Sequence, residues 1–434
     1  MLQSSLGGAV ASRVSVHNYR HALVRLLIPQ LEPLAAGPGW SPLSLALASV
    51  LMSWDPSPTL AQRFASTLAL LDTALPRRRR TGRTYQGFIK ALRRHGEHTI
   101  VLLCDHLRTL TRRAAEKAKC WTFGEFVPMG ADGSKFDVPR TADNDSLGVA
   151  GKDKSGPQMM TLLLEHLGVM LPWAWKAGGA RTSERALLRD SLDLLPDNTL
   201  LVTDAGFTGY ELLKELLSRK IHFLVRVGRG THLLKELGYH KREGKNTVYL
   251  WPDAKCDQPP LVLRLIRLGR MYLITDVTDP RRLSRATASE LYRRRWRLEV
   301  AFRSLKQTLE HRKMRSGAAI NAMMELDWSI MGLWVLSLIG VRSIVAAGHP
   351  PGRFSLAGAL AAVRAARIGS ISDSRLRQRL RAAVQDNYKR KGSKKAYEWP
   401  HKKRQKPPGK PSLTKATRTQ VKQAKQLRAK KTAE

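Results

Sequence analysis

The chain has 434 residues, 43% of them hydrophobic, which is enough apolar material for a sizeable core and more than one domain and excludes disorder throughout. Its 75 Lys and Arg against 35 Asp and Glu give a formal net charge of +40 and a pI near 10.9. That excess points to a polyanionic partner, of which nucleic acid is the commonest; ribosomal and membrane-surface proteins can be as basic, so charge sets the partner class and no more.

Cys104, Cys120 and Cys256 are odd in number and form no CxxC pair, so neither a disulfide framework nor a thiolate zinc site is expected, and a reducing cytoplasm fits. No basic region followed by an uninterrupted apolar stretch opens the chain, so a signal peptide is not expected.

Residues 1–121 read as helical, with apolar spacing in Ala22 to Leu34, Leu43 to Met52, Leu60 to Leu71 and Ile100 to Leu110. Between the last two lie Arg77 to Arg80, Arg83, Lys90, Arg93 and Arg94, with Tyr85 and Phe88 interleaved. Such a cluster suits a phosphate backbone and marks a DNA-binding region; a solvated loop followed by a basic helix is its ordinary alternative.

From 122 the pattern changes to short apolar runs at Phe126 to Met129, Met159 to Leu164, Val169 to Trp173, Thr199 to Val202 and Phe223 to Val227, with helical patterns at Glu184 to Leu195 and Tyr210 to Leu217 between the later ones, and the core's first part is bounded at 122–220. Strands followed by alternating helix and strand predict an α/β core with a mixed sheet. Residues 221–284 are bounded as a β-rich insertion, with strand-like runs at Val248 to Trp251, Leu261 to Ile266 and Met271 to Ile274 punctuated by Gly and Pro.

Residues 285–345 return to helix and end in an apolar run from Trp328 to Val341, bounded by Asp327 and Arg342. It is shorter than the roughly 20 residues that cross a bilayer and reads as a buried helix. Residues 346–388 are amphipathic and helical at Ala357 to Ile368 and Leu376 to Val384, a face for dimerisation or for the core. From Lys389 to the end there are 17 Lys or Arg and 2 Glu, and the Lys406-Pro-Pro-Gly-Lys-Pro segment cannot continue a helix, so the tail is expected to be disordered alone.

Three carboxylates stand out. Asp132 lies in Ala131-Asp132-Gly133-Ser134-Lys135-Phe136-Asp137-Val138-Pro139, where Gly133 lets the backbone turn away and leave the acid near a sheet edge; a plain Asp-Gly turn is the alternative. Asp204 ends the run Leu200-Leu201-Val202-Thr203, where strand ends in α/β sheets face a ligand crevice; a helix cap is the alternative. Glu299 belongs to a helix on which Tyr292, Arg295, Glu299 and Lys306 fall within roughly 60° of one another at about 100° per residue. One face thus carries a carboxylate, two cations and a phenol, which suits a divalent metal beside the phosphates of a nucleic acid; a solvated, salt-bridged surface is its ordinary reading. Three oxygen ligands without Cys or His suit Mg²⁺ or Mn²⁺.

In its order of motifs the sequence resembles the IS4-family DDE transposases. The signature Tyr, two residues, Arg, three residues, Glu, six residues, Lys reads here as Tyr292-Arg-Arg-Arg295-Trp-Arg-Leu-Glu299-Val-Ala-Phe-Arg-Ser-Leu-Lys306. Asp132 to Pro139 is similar to that family's first-acid motif and Asp204-Ala-Gly-Phe207 to its second; Ser134 stands where Thr is commoner and Ala205 where a basic residue often follows. The resemblance covers residues 122 to 345. It implies an RNase H-like catalytic core interrupted by the β-rich insertion, and cut-and-paste transposition by two Mg²⁺ ions, replaceable by Mn²⁺, on Asp132, Asp204 and Glu299. Tyr292, Arg295 and Lys306 would hold phosphates.

Trp296 would stack on a displaced base or pack on the core, Trp251 is an equally open base wedge, and Arg226 would touch DNA or pair with Glu184 or another acid. The partners implied are double-stranded DNA at the element's ends and target, and a second copy in a synaptic homodimer, in the bacterial cytoplasm near the nucleoid. No membrane is implied. A catalytically silent DNA-binding derivative and a metal-dependent nuclease are the alternatives.

Overall fold

A computed structural model describes residues 39–74, 82–149, 156–385 and 409–433; the expected helix at Ala22 to Leu34, the run Arg77 to Arg80 and residues 389–408 lie outside them. Ten strands among the described residues build one sheet: β1 (Val127–Asp137), β2 (Gln158–His166), β3 (Leu171–Gly179), β4 (Thr199–Thr203), β5 (His222–Val227), β6 (His232–Lys235), β7 (Thr247–Leu250), β8 (Leu261–Leu268), β9 (Met271–Thr275) and β10 (Ser412–Lys415). Their order is β10-β6-β7-β8-β9-β5-β4-β1-β2-β3. The β3-β2-β1-β4-β5 half has β1, β2 and β3 antiparallel and β1, β4 and β5 parallel, which is the RNase H-like arrangement.

The insertion prolongs this sheet. β9 pairs with β5, and β8, β7 and β6 follow antiparallel. The boundary expected at 221 therefore falls too early, because β5 pairs with β4 and is the last core strand. A short apolar run reads the same in a central parallel strand and in an inserted one.

Period-two alternation divides the core in two. In β4, Leu200 and Val202 face one cluster and Leu201 the other; in β5, Leu224 faces the first and Phe223 and Val225 the second. The first cluster is covered by α1 (Pro42–Trp54), α3 (Tyr85–Lys117), α7 (Arg285–Arg303) and α8 (Ala319–Ala346), with α2 (Leu60–Ala74) beside α1. The second is covered by α5 (Glu184–Arg189) and α6 (Tyr210–Ser218), while the one-turn α4 (Ala142–Asp145) lies between β1 and β2 in sequence. Every residue of α1 is buried, and Ser41 caps it by accepting from the Ser44 amide at 3.2 Å.

α8 is longer than the apolar run that announced it. Among the described residues it is long and apolar enough to cross a membrane, yet 72% of its most apolar window is buried inside the protein, with Trp334 fully enclosed. Its neighbours α9 (Leu356–Arg367) and α10 (Asp373–Arg381) turn Leu360, Val363, Leu376 and Leu380 into the same cluster. The apolar faces of α9 and α10 therefore serve this chain's own core.

The tail does not match the expected disorder over 412–433. β10 runs parallel to β6 from Ser412 beside His232 to Lys415 beside Lys235, and α11 (Arg418–Ala433) buries Ala424 in the second cluster. Without β10, β6 would be a sheet edge with unpaired backbone groups, and a short extended segment is what such an edge accepts; net charge carries no signal of that pairing.

Candidate active site

α7 begins at Ser284, whose hydroxyl accepts from the Thr287 amide at 3.0 Å, and lays Ala288, Leu291, Leu298 and Phe302 on the first cluster. Gly130 of β1 permits this approach, since a Cβ there would stand 2.7 Å from a methyl of Leu298. The helix thereby brings its polar side over β1 and the end of β4. Tyr292 and Arg295, each 7% exposed, are enclosed. A solvated, salt-bridged surface is therefore not what this face forms.

β1 runs straight through Asp132 and Gly133, paired with Leu163 and Leu162 of β2, so the expected turn at Gly133 is absent. What the missing side chain provides instead is space for Glu184: a Cβ on Gly133 would lie 2.5 Å from that carboxylate. Asp132 Oδ1 accepts from the Gly133 amide at 3.0 Å, and its Oδ2 faces an Arg295 amino nitrogen at 3.5 Å. Burial pushes the Asp132 carboxyl up to about 6; Arg295 opposes this, while Asp204 and Glu184 add to it.

Asp204 follows the last residue of β4 and caps the turn Ala205–Phe207, Oδ1 accepting from the Gly206 amide at 2.8 Å. Capping and facing the crevice thus coexist in one side chain. Glu299 Oε1 meets the second Arg295 amino group at 3.2 Å, so one guanidinium joins Asp132 to Glu299. Burial would lower the Arg295 pKa, but Tyr292, Asp132, Asp204 and Glu299 together raise it. Its Nε has no hydrogen-bond partner among the described residues.

After α7 the chain winds through a π-turn over Ser304–Thr308 instead of continuing as regular α-helix, and this turns Lys306 onto β1. Its Nζ donates to Ser134 Oγ at 2.7 Å and lies 4.8 Å from the Phe136 ring centre. Burial lowers the Lys306 pKa, countered by Asp137 and reinforced by Arg312. Tyr292 lies with its ring 5.5 Å from the Arg295 guanidinium; burial raises its pKa and the charges of Arg295 and Arg226 lower it. Arg226 of β5 thus sits beside Tyr292, and no ion pair with Glu184 is found among the described residues.

Trp296, at 53% exposure, is not packed on the core. Trp251 is 3% exposed and donates its indole N–H to the Gln258 carbonyl at 2.7 Å, so it is enclosed and cannot wedge between bases as placed. Glu184 is the residue that sequence reasoning assigned only to an ion pair. It lies in the first turn of α5, where burial and Asp204 raise its pKa and Lys135 opposes them. Its sequence signal is slight, a Glu one residue after a capping Ser.

Asp132, Asp204, Glu184 and Glu299 are hard oxygen donors, and the charge of Asp204 helps raise the pKa of both Asp132 and Glu184, a repulsion that a divalent cation relieves. Among the described residues no three His, Cys, Asp or Glu side chains stand close enough together to hold one ion. Asp132 lies near enough to Asp204 to feel its charge, and Glu299 is turned to Arg295.

A mixed sheet bearing Asp132 and Asp204, with Glu299 on a helix over it, defines the class, and residues 131–326, which contain these acids, match the family described as "Transposase DDE domain". The transposase InsG of insertion sequence element IS4 from Escherichia coli strain K12 is 25% identical over 244 residues, covering 52% of this chain and 54% of that protein. Residues 131–326 are thus similar to a transposase DDE domain, and the chain spans about half the length of this curated relative. A piggyBac transposase synaptic complex with hairpin DNA aligns at TM-score 0.42 and 10% identity, over 89% of this chain and 85% of that one.

Proposed function

We propose that the protein is a DNA transposase that cuts at the terminal inverted repeats of an insertion sequence and joins the freed 3′-hydroxyls to a target. The observation that carries this reading is the gathering of Asp132, Asp204 and Glu299 around the buried Arg295 at one end of the central strands. Asp132 and Asp204 hold Mg²⁺, or Mn²⁺ in its place, with Glu299 completing a two-ion site. Divalent ions held by these carboxylates would supply activation of water or a 3′-hydroxyl and stabilisation of the departing oxygen.

Arg295 releases Glu299 and turns its planar fork to the non-bridging oxygens of the phosphate. Tyr292 and Arg226 brace that guanidinium and meet the same strand, and Lys306, steered by Ser134, takes the next phosphate. Trp296 stacks on an unpaired base beside the cut, a contact worth roughly 1–3 kcal/mol. The helical region before β1 supplies duplex contacts, and two copies of the chain each bring one element end to a shared complex in the cytoplasm near the nucleoid.

The test is incubation of the purified protein with labelled duplex spanning the flanks of its own gene, in Mg²⁺ or Mn²⁺, beside Glu299→Gln. Metal-dependent nicks at one discrete boundary, lost by at least 100-fold in the variant, are expected. Equal nicking by both proteins removes Glu299 from the reaction.

A further inference from the structure

Past Asp137 at the end of β1, a groove of about 930 Å³ opens between the N-terminal helices and the segment joining α7 to α8. Lys90 and Arg93 of α3 stand on one wall, Arg312, Lys313 and Arg315 on the other. Among the described residues that line it Glu310 is the one acid, and it pairs with Arg364 at 3.8 Å, outside the groove. Lys90, Arg312 and Lys313 are exposed and make no ion pair among the described residues.

The walls are built. Arg93 Nε donates to Asn321 Oδ1 at 2.8 Å, and Arg315 donates to the Ser57 carbonyl at 2.9 Å. The far wall is registered to the acid-bearing strand, since the Met314 amide donates to the Asp137 carbonyl at 2.8 Å and the Asp137 amide to the Arg312 carbonyl at 3.3 Å. Cations therefore continue from Lys306, over Ser134, to Arg312 and Lys313 along one strand. From Asp132 to Asp137 the strand advances about 17 Å at roughly 3.3 Å per residue. Duplex DNA rises about 3.4 Å per base pair, so that span is about five base pairs.

We propose that this groove holds the phosphate backbone of the duplex whose scissile phosphate lies at the carboxylates, about five base pairs from the cut. The assignment rests on the transposase reading, and it makes the N-terminal helices and the linker after the third acid two sides of one clamp. Five cations against one outward-paired acid leave an unneutralised positive trough, and continuity with Lys306 selects a duplex over an acidic polypeptide.

The test uses the full chain with the doubly neutralised variant Lys90→Gln/Lys313→Gln and, as control, Lys220→Gln/Lys241→Gln, all at exposed positions. Binding to end-containing duplex is followed against salt, and hydroxyl-radical footprints are aligned to the nick. The groove variant is expected to bind about tenfold more weakly near physiological salt, with a log–log salt slope shallower by about two and protection lost about five base pairs from the nick. An unchanged slope and footprint in a groove variant whose parent nicks DNA overturns the groove, as does an equal loss in the control pair. If the parent neither binds nor nicks, the transposase reading itself falls. If an oligoglutamate peptide displaces from the parent a footprint that the groove variant shares, the occupant is not duplex.

Discussion

Glu184 stands over Gly133 beside Asp132 and Asp204, with Lys135 as the cation that opposes its charge. Like charges this close destabilise the fold until a cation binds. Glu184→Gln is therefore expected to raise Tm by about 1–2 °C in a chelator and to shrink the additional rise on adding Mg²⁺. Differential scanning calorimetry with and without the ion reads both, and a lower Tm in chelator contradicts the repulsion. Arg295 shows how one side chain reconciles several charges: its fork reaches Asp132 and Glu299 at once, a geometry that the point charge of a lysine does not reproduce.

The segment after α7 depends on His311, which is buried, lies 2.9 Å from the Ser53 carbonyl through Nε2, and so docks the linker onto α1. Burial drives its pKa down to about 3, and nearby Arg63, Arg315 and Arg364 add to this against the Ser53 hydrogen bond. The unfolded chain takes up this proton below pH about 6.5 while the folded chain resists it down to about 3. Stability from His311 is thus complete above 6.5 and declines through that window by about 1.4 kcal/mol per pH unit. His311→Gln, which can still donate to Ser53, should flatten the fall in Tm between pH 6.5 and 4.5 relative to the parent; an identical pH profile contradicts the linkage. At this scale the sequence was legible where a period was long or a spacing fixed. The apolar stripe of α7 and the offsets from Tyr292 to Glu299 set one helix over one strand. The π-turn that aims Lys306 and the straight passage of β1 through Gly133 depend on partners distant in sequence, which no local pattern encodes.

For the molecule as a whole, the sheet ends where the basic tail closes it. Removing residues 409–434 should uncover β6, and hydrogen exchange at the amides of β6 and β7 should quicken while that of β1 and β4 stays unchanged; unaltered β6 exchange contradicts the pairing with β10. The same tail shows why composition misled there: a charge excess describes solvation, whereas order at 412–433 comes from a backbone edge and one buried alanine. The +40 charge, the sheet order and the four acids bear together on the proposal that this chain joins DNA strands as well as cutting them. The most direct measurement supplies a pre-cut element end bearing a 3′-hydroxyl, a supercoiled plasmid and Mg²⁺, and looks for a covalent joint by denaturing electrophoresis. The account predicts joined product with the parent and none with Asp132→Asn or Asp204→Asn. Cleaved but never joined ends from the parent would contradict it and leave a nuclease.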